Sequence, residues 1–278
     1  MRILCLAAAG LALGACARPS CPPPRAFAGP GRPFLWTVSE GANDKRLILY
    51  GTLHAAGIDD VPRAALDALD GAPLFVSEID DLPPDTIRAA ATLPRGESLQ
   101  VLLGDDAWYD LRDALTGVIG DEALRRVRPW YAMSLLTGAS ADLPAVEMDV
   151  ALREKAKAQG KPLAFLETAD EQLGALADSV TPADVKQALA DRKAMRCAVG
   201  DLRAAYRAGD GQPLRDELGD AAAAKLLDAR NQRWIAKLEE WLRGGGAFVA
   251  VGVAHLIGPG SLPELLAARG FRVERATK

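Results

Sequence analysis

Arg46–Gly57 reads RLILYGTLHAAG: a short apolar run, Gly51, two residues, then His54. Ala247–Gly258 reads AFVAVGVAHLIG and repeats the plan, with Gly252 and His255 in the same places. These are the only two histidines in 278 residues. A compact apolar run bounded by glycine is the pattern of a strand buried on both faces of a parallel sheet. Two such strands, each leaving through glycine toward histidine, decide the expected fold. It is α/β, with a central, mostly parallel sheet flanked by helices.

The flanking sequence fits. FLWTVSE (34–40) and RLILYGT (46–52) enclose GANDK, whose Gly, Asn and Asp suit a hairpin turn. VPRAALDALD reads as a helix with Gly71 as its cap, and APLFVSEID as a buried strand. PAVEMD (144–149) and KPLAFLE (161–167) look like two more strands, separated by the helical VALREKAKAQG. From about 169 to 243 the pattern is helical, with Pro182 and Pro213 starting helices: a long helical insertion before the last strands. GGGAFVAVG, SLPELLAARG and FRVERA close the chain as strand, helix and strand.

The N-terminal region reads differently. MRILCLAAAGLALGAC carries one early positive charge and an apolar stretch too short to span a bilayer, so 1–15 is expected to be a signal peptide. Its end resembles the lipobox of bacterial lipoproteins, which implies lipidation at Cys16 and an anchor in the cell envelope facing the periplasm. An ordinary signal peptide is the alternative. Residues 16–33, rich in Pro, Gly and Ala, are expected to be an extended tether to a domain over 34–278. Cys21 and Cys197 remain, and an oxidising compartment would allow them to pair, though sequence does not show that they meet. The net charge is -4 and there is no basic stripe, so no nucleic-acid partner is expected.

The ends of the apolar runs share one feature. They lead to His54, Glu78, the pair Glu147 and Asp149, Glu167, and His255. Ligands of open α/β sheets bind beyond the carboxyl ends of the strands, so adjacent parallel strands would bring these groups together. Two imidazoles and a carboxylate suit a divalent ion such as Mn, Co or Zn. His54, His255 and Glu78 are therefore the candidate ligands, with Glu78 also a candidate general base. Glu147, Asp149 and Glu167 are secondary candidates, each with a competing role as a carboxylate at a helix N-terminus. In KLLDARNQRWIAKLEEWLR, the residues Leu227, Trp234, Leu238 and Trp241 form an apolar face, and Arg230 and Asn231 fall inside it. An inward arginine either fixes packing through a structural carboxylate or acts on a site, by orienting a carboxylate or steadying developing charge. No G-x-S-x-G elbow, phosphate loop or C-x₂-C zinc pair is present.

Taken together, FLWTVSEGANDKRLILYGTLHAAG, PLFVSEID, VEMDVALREKAKAQGKPLAFLETADEQLGAL, ARNQRWIAKLEEWL and FVAVGVAHLIGPGSLPELLAARGFRVER resemble the TraB/GumN family, which includes the Tiki proteins. The resemblance implies the fold shared with erythromycin-esterase and ChaN-like proteins. It also implies a metal-dependent peptidase centre on His54, His255 and Glu78, with Arg230 followed by Asn231, and with Glu167 and Gln172 nearby. The expected protein is a lipid-anchored, metal-dependent hydrolase acting on a peptide or small-molecule substrate. A metal- or haem-binding lipoprotein without turnover and an inactive scaffold are the alternatives. A homo-oligomer stays open.

Overall fold

The computed structural model describes residues 21–41, 45–216 and 224–277. The expected signal peptide and Cys16 lie outside the described residues. Six strands form one sheet: β1 (Leu35–Ser39), β2 (Leu47–Thr52), β3 (Phe75–Ser77), β4 (Leu163–Phe165), β5 (Ala247–Gly252) and β6 (Arg272–Arg275). Their order is β4-β3-β5-β2-β1-β6. The first four neighbours are parallel, whereas β1 runs antiparallel to both β2 and β6. The two histidine-bearing runs are thus adjacent parallel strands, with Leu49 opposite Val249 and Gly51 opposite Val251. Val249, Phe248 and Leu49 have no exposed surface. Phe75 of β3 stacks on Phe248 at 6.1 Å between ring centres, and each such buried ring contributes about 1.5–3 kcal/mol.

Around the sheet lie α1 (Arg63–Gly71), α2 (Pro84–Ala91), α3 (Leu99–Leu103), α4 (Asp105–Ala114), α5 (Asp121–Arg125), α6 (Pro129–Ser140) and α7 (Met148–Ala158). They are followed by α8 (Ala169–Ser179), α9 (Pro182–Ala208), α10 (Gln212–Asp216), a π-helical turn (Ala224–Asp228), α11 (Ala229–Gly244) and α12 (Leu262–Ala268). Thr168 and Thr181 cap α8 and α9 through reciprocal bonds with Glu171 and Asp184, and Pro182 occupies the first turn as expected. The helical stretch after β4 is therefore present. A second one, α2 to α6, sits between β3 and β4 and carries its own core, in which Trp108, Leu99, Leu111 and Leu136 pack with Val185 of α9.

One expected strand does not form. Residues 144–147 of PAVEMD are loop, and the helix α7 begins at Met148. The run offers only Val146 as a side chain for a sheet face, and Val146 is exposed. Pro144 has no N–H for a ladder, and β4 already takes the flank of β3. Four strand ends, not five, converge.

Residues 21–33 contain no helix or strand but are laid along α9. Cys21 is bonded to Cys197, with Cα atoms 5.3 Å apart. Arg25 pairs with Asp201 at 2.7 Å, and the Gly31 N–H donates to the Ala208 carbonyl at 2.9 Å.

Candidate functional site at the carboxyl ends of the parallel strands

The pairing of β3 with β4 continues past the last strand residues. Leu166 N–H donates to the Ser77 carbonyl and Glu167 N–H to the Glu78 carbonyl, at 3.0 and 2.9 Å. This sets Glu78 and Glu167 side by side. Glu78 Oε1 accepts the Gly252 N–H at 2.8 Å from the end of β5. A Cβ at position 252 would stand 3.4 Å from that oxygen, in ordinary van der Waals contact. The fit at Gly51, at the end of β2, is tighter: a Cβ would lie 3.0 Å from Val253, and glycine allows that close approach.

Arg230 enters from α11, two residues after the π-helical segment, and is buried. Its Nε donates to Glu167, Nη2 to Glu78 Oε2 and Glu167 Oε1 at 2.6 Å each, and Nη1 to the Leu226 carbonyl and His255 Nε2 at 3.0 and 3.3 Å. A guanidinium has five N–H donors, and all five are engaged. Arg230 therefore orients Glu78 and has no donor left for a developing oxyanion. Gln172 of α8 adds a contact to Glu78 Oε2 at 3.2 Å.

His255 lies in the 3₁₀ turn Val253–Leu256 and is 3% exposed. Its Nδ1 lies 2.6 Å from Asn231 Oδ1, an acceptor, while Asn231 Nδ2 donates to the Gly260 carbonyl at 2.9 Å. The proton is therefore on Nδ1, and Nε2 accepts from Arg230. The Trp234 ring covers the imidazole at 4.5 Å. Burial lowers the His255 pKa to about 4; Glu78 opposes this and Arg230 adds to it. Burial alone would raise the Glu78 carboxyl, but His255, Arg230 and the Gly252 N–H outweigh it and hold the group below its ordinary range. Burial raises Glu167 above that range against the pull of Arg230, and Glu78 adds to the rise. Two neighbouring carboxyls are thus pushed apart, with Glu78 the more readily ionised.

The depressed His255 value fixes the sign of a pH effect. An imidazole at about 4 in the fold and about 6.5 in the unfolded chain stabilises the fold above pH 6.5. That contribution, about 3 kcal/mol, is lost as the pH falls from 6.5 toward 4. Urea midpoints measured across this window should fall more steeply for the native chain than for His255→Gln. Equal slopes would mean that His255 is not held neutral.

His54 stands apart from this network. It is exposed, and its Nδ1 faces Glu147 Oε2 at 2.9 Å and Asp149 Oδ1 at 3.2 Å. Asp149 and Glu147 raise its pKa well above the ordinary value. Glu147 is the residue before α7 and Asp149 lies in its first turn, so the helix terminus favours both negative charges. The two loops are pinned together. Met148 N–H donates to the Ala56 carbonyl at 3.0 Å. Arg203 of α9 donates to the Ala55 and Asp142 carbonyls. Tyr206, also on α9, donates to the Gly51 carbonyl at 2.6 Å. Arg203 and Tyr206 had no sequence signal beyond helical spacing.

His54, Glu147 and Asp149 each offer one ligand atom, and these lie within 4.8 Å of one another. One imidazole and two carboxylates suit a borderline divalent ion. Asp149 Oδ1 is buried and faces His54 Nδ1 at 3.2 Å, an acceptor aimed into the same cluster. The expected ligand set of His54, His255 and Glu78 is thus distributed over two groups. His54 gathers with the secondary candidates Glu147 and Asp149, while Glu78 and His255 gather with Arg230, Asn231, Glu167 and Gln172. Both groups meet one cavity of about 420 Å³, whose wall includes His54, Glu147, Asp149, Glu78 and Gln172.

Fold and site define an α/β protein with a carboxylate-rich cavity at the carboxyl ends of adjacent parallel strands. The chain belongs to the TraB/PrgY/gumN family, whose model matches residues 34–275. No curated protein and no solved structure matches it.

Proposed function

We propose that this chain is a metal-dependent hydrolase of the bacterial cell envelope, anchored through lipid at Cys16 and acting on peptide bonds. The observation that carries the reading is the gathering of His54, Glu147 and Asp149 on the wall that also presents Glu78. These three would hold a divalent ion (Mn, Co or Zn). Such an ion, when bound, polarises a carbonyl oxygen and makes water a nucleophile at neutral pH. Glu78 is held ionised by its neighbours, and Oε1, whose one hydrogen bond is from Gly252, takes a proton from the attacking water. Arg230 and Gln172 fix the Glu78 carboxylate from the other oxygen. Asn231 holds His255 as the acceptor that completes the Arg230 shell. Disulfides persist in oxidising compartments, so Cys21–Cys197 supports an envelope location. Among the described residues no helix is long and apolar enough to cross a membrane.

Calorimetric titration with Mn²⁺, Co²⁺ and Zn²⁺ should find one ion per chain. His54→Ala and Asp149→Asn should each weaken it by more than about 100-fold, beyond the usual effect of an outer partner. Glu78→Gln should leave ion affinity in place and lower the rate of peptide hydrolysis by about 10²–10⁴. An ion bound with no cleavage of any peptide library would leave a metal-binding lipoprotein. No ion at all would sink the proposal.

A further inference from the structure

A second cavity, about 540 Å³, lies in the helical region between β3 and β4, outside the carboxylate cluster. Its wall is mainly apolar, formed by Ile87 and Ala91 of α2, Ile119, Ala123 of α5, Val127 and Tyr131. Ile87 also lines the cavity that holds His54 and Glu78, so one side chain forms a wall of both spaces. The two spaces differ sharply in chemistry. The first presents Glu78, Asp80, Asp81, Glu147 and Asp149, and the second presents no carboxylate. The guanidinium of Arg126, on the second wall, is occupied by the Leu93 and Pro94 carbonyls at 2.7 and 3.1 Å, so it offers packing surface more than a free charge.

We propose that this cavity is a specificity subsite for a large apolar side chain of the same substrate whose reacting bond lies beside Glu78. The proposal rests on the hydrolase reading for the identity of that bond, and on the adjacency of the two cavities across Ile87 for its occupant. The volume is within the range of ligand pockets and exceeds what one branched or aromatic side chain needs. The other cation on the wall, Arg88, pairs with Asp85 at 3.3 Å, so an uncharged polar group placed there would lose water for little return and the subsite discriminates by burial. Selectivity therefore resides in α2 and α5, elements that contribute nothing to the carboxylate network.

The test measures binding and cleavage separately on the full chain. Acetylated pentapeptide amides Ala-Ala-X-Ala-Ala, with X as Gly, Ala, Leu or Phe, are titrated calorimetrically with EDTA present so that no turnover intervenes. Affinity should rise by about 10–100-fold from Gly to Leu or Phe, as expected for one buried side chain. Ala123 is exposed on α5, so Ala123→Trp fills the cavity without disturbing a packed core. It should bring the Leu and Phe peptides down to the affinity of the Ala peptide and leave the Ala peptide unchanged. Ala123→Lys, placing a charge in the same space, should do the same, and unchanged melting temperatures confirm both variants as folded. Equal affinity across the four peptides, no binding of any, or equal weakening of all by Ala123→Trp would overturn the subsite. Preference without cleavage on adding Mn²⁺ keeps the subsite and sinks the hydrolase; cleavage without preference does the reverse.

Discussion

Replacing Arg230 by methionine lowers the stability of the fold by about 3–5 kcal/mol, the cost of breaking a buried ion pair from one side. The guanidinium is 7% exposed and sits between Glu167, 1% exposed, and Glu78, 18% exposed. Methionine keeps the bulk and removes every donor. Two carboxylates then face each other with no counter-charge, and both pKa values climb. A group whose folded pKa is raised above its unfolded value stabilises at low pH and destabilises as the pH rises. The deficit in Arg230→Met should therefore be largest at neutral pH and shrink below about pH 5, where the carboxyls take up protons. Adding Glu167→Gln should return part of the loss by removing one of the two charges. Urea denaturation at pH 4.5 and 7.5 measures all of this. A loss below about 1 kcal/mol, or one independent of pH, would show that Arg230 is not the keystone of the network.

Breaking Cys21–Cys197 should cost about 2–5 kcal/mol. The bond joins positions 176 residues apart, so it removes a large closed loop from the freedom of the unfolded chain. In the folded chain it is the covalent hold of residues 21–33 on α9, with Arg25–Asp201 and Gly31–Ala208 as the non-covalent ones. Reduction, or Cys197→Ser, should lower the melting temperature, and limited proteolysis should then cut first within 21–33. Coincident urea midpoints for oxidised and reduced protein would refute a stabilising bond.

The parallel core was legible because Leu47–Thr52 and Ala247–Gly252 are buried on both faces, which leaves an unbroken apolar run in the sequence. Arg230 and Asn231 were legible for a related reason: polar residues inside an apolar helical stripe must find partners, and they do. The matched surroundings of the two histidines were less informative than their pattern suggested. In the β2–β5 register Gly51 faces Val251 and Thr52 faces Gly252, so the two motifs are offset by one residue and the chain leaves the strands at different points. His255 turns under Trp234, and His54 stays outside. Nothing local in either motif encodes that difference, because the covering ring and the Asn231 acceptor come from α11. PAVEMD misled because an apolar triplet before acidic residues also describes a loop entering a helix. Among α2 to α6, α3 and α5 were hidden by brevity: they have five residues each, too few to show a period.

The course of residues 21–33 has a mechanical consequence. With Cys21 bonded to α9, a lipid on Cys16 would be separated from the folded body by five peptide units, which reach no further than about 17 Å. Such a leash is shorter than the roughly 40 Å that a helix of 27 residues spans, the length of α9. A chain moored in this way would keep the part of α9 around Cys197 within that leash's reach of the membrane surface.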